Sequence, residues 1–291
     1  MSVRPKDHQR PNHTRAARLA IAAIALVFSS GIPTRAPAQG ETTECDRLTA
    51  NGNDPFSPLR HTGAVAFRDI DAPRAIDACK RDLAADPDNG RLKLNLGRAY
   101  NKAEDYDRSL RYTREAADAG YAYAFHVMAL HYLWGEGVKK NHDEEVKYLR
   151  LGVDYKVPVS HLRLGEIELD KGVPRARLPE AERLIGFART KGADATLQLA
   201  RLNVARAERV LYDQLLGVPA DAEPVVIATQ LSALDLRVYR NYLLSARDLY
   251  ADYFRQDGNR EHRPALDRIE NLLRRITDEG IARKVARETD R

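Results

Sequence analysis

The stretch LHYLWGEGVKKNHDEE, residues 130–145, concentrates residue types that could do chemistry. His131 and His142 bracket it, Asp143 and Glu144 follow the second histidine, and Gly135 and Gly137 flank Glu136 behind Trp134. A phosphate cradle would need a strand before the glycines and a Lys-Ser/Thr pair after them, and neither is present. A metal site would need ligands on one face. His126 and His131 are five apart, which puts them on different faces of a helix, and no H-E-x-x-H occurs. No nucleophile elbow and no S-x-x-K stand anywhere in the chain. The expectation is a non-enzyme with no catalytic residue, no metal and no cofactor. The glycines then serve a turn that reverses one helix into the next, with Trp134 and Val138 packed inside it. His142, Asp143 and Glu144 open the second helix, where its dipole favours the acids.

Those residues need helices to position them, and the composition supplies helices. Ala, Leu, Arg and Glu are plentiful, and no segment alternates as a strand would. Four short words recur: LGRAY at 96–100, MALHY at 128–132, LGEIE at 164–168 and LARLN at 199–203, spaced 32, 36 and 35 residues apart. Each follows a Gly or Pro turn. The first three are succeeded by a second amphipathic helix, over 106–120, 143–155 and 178–192. One hairpin cannot bury both its apolar stripes, whereas stacked hairpins can, so the period predicts an all-α α-solenoid. Gly97, Ala129, Gly165 and Ala200, second in each word, are small enough to let paired helices approach closely.

At this point the sequence resembles known repeats. DNGRLKLNLGRAYNKAEDYDRSLRYTREAADAG (88–120) is similar to a tetratricopeptide unit, and GYAYAFHVMALHYLWGEGVKKNHDEEVKYLRLG (120–152) resembles a Sel1-like repeat. The Sel1 pattern falls on Met128, Ala129, Tyr132, Gly135, Gly137 and Val138, with Asn141 at its Asp place. In the third unit Glu168 replaces the tyrosine and only Gly172-Val173 of the loop remains. IDACKRDLAADPDN (76–89) resembles the second helix of an earlier, incomplete unit, with Cys79 at a packed position. The resemblance implies a concave wall made by the first helix of each hairpin. Its partner-binding candidates here are Arg91, Arg98, Asn101, Tyr123, His126, Leu130, Glu166 and Arg201. Leu94, Leu133, Leu162, Leu169 and Leu197 belong to the same wall and would form an exposed apolar strip.

The ends differ from the middle. Residues 1–18 are basic, 19–32 are apolar and too short to span a bilayer comfortably, and Ala36-Pro37-Ala38 fits a cleavage site. The expectation is a Sec-type signal peptide over 1–38, cut after Ala38, and a periplasmic or secreted protein with no membrane insertion thereafter; the alternative is an uncleaved anchor. The chain has 47 basic and 42 acidic residues, of which six and one lie in 1–38, so 41 of each remain. The basic pI therefore gives no nucleic-acid footprint. Cys45 and Cys79, an even pair in an exported chain, predict a disulfide rather than two free thiols. Residues 39–70 read as a polar N-terminal cap, 71–205 as the repeat solenoid and 206–291 as a non-repeat helical segment. Within the last, 225–254 carries a tyrosine stripe that either packs on the solenoid or serves a partner. It is expected to fold back over the last repeats and cover part of the apolar groove; the alternative is that it only extends the stack as a C-terminal cap.

Function is expected as a class: a periplasmic helical-repeat adaptor or regulator that binds another protein through its concave face. A structural part of an envelope polysaccharide or secretion assembly is one alternative. An envelope enzyme of the β-lactamase-like Sel1 type is another, disfavoured because the one-disulfide-per-repeat pattern and S-x-x-K are missing.

Overall fold

The computed structural model describes residues 41–170, 178–214, 232–257, 261–277, 281, 284, 287 and 288, and of 211–214, 233 and 257 the backbone alone. The proposed signal peptide, the loop at 171–177 and the proline-containing link at 218–224 lie outside them. Among the described residues there is no strand, and the chain is a series of helices. They are α1 (Glu44–Thr49), α2 (Ala72–Ala85), α3 (Gly90–Lys102), α4 (Tyr106–Asp118), α5 (Ala122–Trp134), α6 (His142–Asp154), α7 (Pro158–Asp170), α8 (Leu178–Thr190), α9 (Thr196–Gln214), α10 (Ala233–Asp257) and α11 (Arg263–Arg275), with a 3-10 turn at Phe67–Asp69.

The pairs α3/α4, α5/α6 and α7/α8 are the three hairpins, and every one of their helices is 13 residues long. Local chemistry sets their ends. Asn89, Asp105 and Asn141 cap α3, α4 and α6 by accepting from backbone N–H groups of the first turn. Gly135 ends α5 in the left-handed conformation, at φ 78°. Gly137 follows at φ 69°, and a Cβ there would stand 2.4 Å from the Tyr106 carbonyl oxygen. Both turn glycines are required, one by conformation and one by conformation and contact.

Each hairpin packs on the next, so α4 meets α5 and α6 meets α7. The small second residue of each repeated word sits at a helix crossing. Gly97 lies against Ser109 and Thr113, Gly165 against Ile185, while Ala129 and Ala200 are fully buried. Helix α5 is apolar nearly all round because it has helices on both sides; Met128 and Ala124 have no exposure.

The two ends are finished differently. Cys45 of α1 and Cys79 of α2 form the disulfide, both fully buried with Leu92 and Leu96 of α3. The six-residue α1 was not visible as a helix in the sequence reading, yet Thr43 and Asp46 make a reciprocal capping box around its first turn. At the other end α10 packs along α9 and against α11. Tyr239, Leu243, Ala246 and Tyr250 close on Ala200 and Ala207, so this part of the tyrosine stripe is core. The described residues of the tail thus add to the end of the stack instead of folding back over the groove, and none of them is among the walls of the cavity described next.

Candidate functional site

A cavity of about 370 Å³ opens on the face made by the first helices of the first two hairpins. Leu94 and Asn95 of α3 and Tyr123, Val127, Leu130 and His131 of α5 form much of its surface, and Trp134 and Glu136 stand where α5 runs into its turn. The remaining side is not repeat at all. Asn51, Asp54 and Phe67 come from the segment between α1 and α2, which crosses α3 and α5 as a strap.

The strap is held by the polar residues of the repeat face. Asp46 accepts from Asn95 Nδ2 at 2.9 Å and pairs with Arg91, both partners buried. Arg98 donates to the carbonyls of Thr49 and Val65. Asn51 Nδ2 donates to the Tyr123 hydroxyl at 3.1 Å, and the Tyr121 hydroxyl donates to Asp54 at 2.7 Å. The strap also reaches the third hairpin, where Arg60 donates to the Lys191 carbonyl at 3.4 Å. Burial raises the Asp54 carboxyl to about 6 despite the tyrosine bond, and lifts the Tyr121 and Tyr123 phenols. It lowers Arg98, whose guanidinium still carries its charge.

His131 is fixed by two sets of contacts. Its Nδ1 lies 2.9 Å from the Glu136 carbonyl, so that nitrogen donates and Nε2 faces the hydroxyls of Ser109 and Thr113 at 3.4 Å each. Burial lowers the imidazole below its ordinary value, partly opposed by the Glu136 carbonyl. This is a helix-turn clamp: the ring ties the end of α5 to its own reversal.

The candidates named from sequence divide into three groups. Arg98, Asn101, Tyr123 and Leu130 meet at the cavity, where Asn101 Nδ2 donates to Glu136 at 2.7 Å. Arg91 lies buried, paired with Asp46 of α1. His126, Glu166 and Arg201 lie at seams between successive units. His126 Nδ1 is 3.3 Å from Ser160 Oγ, both buried, and burial beside Arg163 drops the imidazole to about 4. Glu166 accepts from Arg163 and Gln198, and Arg201 pairs with Asp170. Leu94 and Leu162 are core, and Leu133, Leu169 and Leu197 are half-buried, so the expected exposed apolar strip is not present in that form.

Trp134 reverses its expectation. The residue is 53 % exposed and walls the cavity instead of filling the turn. Other residues fill that space. Tyr132 stacks on Tyr148 at 5.6 Å, His131 takes the Glu136 carbonyl, and Gly137 presses against the Tyr106 backbone. Phe67, 44 % exposed, is the other large apolar side chain displayed on the cavity, and the sequence reading had not singled it out. Only its aromatic type in a polar segment marked it.

A scan of protein-family models finds no match, and a search of curated proteins finds none either. Among solved structures the chain is similar to a Sel1 repeat protein from Oxalobacter formigenes, at 24% identity over 62% of this chain and 72% of that one, with a TM-score of 0.39. It is also similar to a TPR repeats protein from Bacteroides fragilis, at 17% identity over 80% of this chain and 100% of that one, with a TM-score of 0.29. The hairpins, their period and their small residues at the crossings make the described residues an all-α series of stacked helical hairpins.

Proposed function

We propose that the chain is an exported adaptor or regulator that binds another protein at the cavity between the strap and the end of α5. The observation that carries this is the pairing of Phe67 and Trp134, both displayed on one concave site. Exposed aromatics around a pocket with a buried floor are the usual anchor points of protein recognition. The polar lining argues for a peptide over a sugar: Asn51, Asp54, Asn95, Arg98 and Asn101 are already bonded within the chain. A sugar would need donors and acceptors left open to it. Export is supported by the 1–38 sequence and by the disulfide, which fits an oxidising compartment. No helix among the described residues is long and apolar enough to cross a membrane.

Panning a random peptide library on the protein tests the reading. Enriched peptides should shift the emission of Trp134, the chain's one tryptophan. They should lose binding to Leu130→Asp, checked for folding by circular dichroism. Peptides that bind this variant as well as wild type would place recognition elsewhere and overturn the proposal.

A further inference from the structure

The charges around the cavity are arranged unevenly. At the Phe67 side, Arg98 and Lys102 already stand over the ring, at 5.9 and 5.5 Å from its centre. Arg98 has its guanidinium donors on strap carbonyls and the Asp54 carboxylate beside it. At the Trp134 side the one carboxylic lining residue is Glu136. Its carboxylate accepts from Asn101, a neutral amide, through one oxygen. Lys139 and Lys140 follow in the same turn but are exposed and are not among the cavity's walls. The cavity is therefore an apolar space whose cationic end is occupied by the chain's own cations and whose anionic end is not balanced.

Resting on the protein-binding reading above, we infer that the occupant is a polypeptide segment that seats a bulky apolar side chain in the cavity and points a neighbouring lysine or arginine at Glu136 beside the Trp134 ring. The apolar group would lie on Leu94, Val127 and Leu130. The cation would gain both a partly shielded carboxylate and the face of an indole, each of which favours positive charge. An acidic residue in the same place would meet Glu136 with like charge.

Three pools of N-acetylated, C-amidated decapeptides test this, with randomised flanks around a central Phe-Lys, Phe-Gln or Phe-Glu and Trp134 emission as the readout. The Phe-Lys pool should titrate at about tenfold lower concentration than the Phe-Glu pool, with Phe-Gln between them. The spread should shrink as salt is raised. Glu136→Gln keeps an acceptor for Asn101 and should bring the three pools together. Equal titration of the pools on wild type, or tighter binding of Phe-Glu, overturns the charge inference while leaving peptide binding intact. A mixture of gluco-oligosaccharides serves as the control: a Trp134 response to it, with none to any peptide pool, overturns both this inference and the protein-binding reading.

Discussion

Asp46 is a short side chain with three obligations. It closes the capping box of α1, accepts from Asn95 and neutralises the buried Arg91. Removing it leaves a guanidinium with 6 % exposure and no counter-charge on that side, so Asp46→Ala should cost about 3–5 kcal/mol in urea unfolding. A loss below about 1 kcal/mol would mean that water reaches Arg91. Asp54, a few residues on, makes a pH-dependent prediction. Its carboxyl is raised from 3.8 to about 6, so the fold prefers the protonated acid. The contribution to stability is complete below the unfolded value and is lost as pH rises through about 6. Asp54→Asn stays neutral throughout. It should therefore gain about 2 kcal/mol on the wild type between pH 4 and pH 7, a difference read from paired denaturation curves. A gap that stays constant across that range would show that another group governs the strap.

At the scale of the element, the turn after α5 separates two kinds of glycine. Gly137 has positive φ and the Tyr106 carbonyl in the place of a Cβ, so Gly137→Ala should cost about 1–3 kcal/mol. Gly186, inside α8 with nothing within 4 Å, should do the opposite, and Gly186→Ala should stabilise by about 0.5–1 kcal/mol. Thermal unfolding of the two variants side by side checks both signs. The hairpins themselves were legible because their information is local: caps at Asn89 and Asn141, a small residue at each crossing, and positive-φ glycines at Gly120, Gly135 and Gly192. The cavity was half legible for the same reason. Arg98, Asn101, Tyr123 and Leu130 follow from the resemblance of the hairpins to known repeats, whereas Asp54 and Phe67 come from an irregular segment whose path is set by contacts far along the chain. Trp134 shows the limit most directly. Its position at the end of α5 was readable, but the side the ring takes, on the cavity wall, is set by tertiary packing that no local pattern shows.

For the molecule as a whole, the stack is a set of neighbours, each hairpin leaning on the next. Cutting the chain before Ser232 should uncover Ala200, Val204 and Ala207 of α9. Dye binding should rise and hydrogen exchange should quicken in α9, while α3–α6 keep their protection. Loss of protection in α3 as well would mean that the stack unfolds as one unit. The strap breaks this neighbour rule. Its bonds join residues 67, 72 and 131 positions apart, while each hairpin closes between helices adjacent in sequence. Distant contacts form late, since a long loop must close before they yield any stabilisation. The consequence is an order in time. On dilution from denaturant the helices should return first and the binding site last, so far-ultraviolet ellipticity should recover ahead of Trp134 emission. Simultaneous recovery of the two signals would mean that the strap docks with the first hairpins. If the lag is found, a newly made chain spends an interval with its repeats built and its cavity still missing one wall.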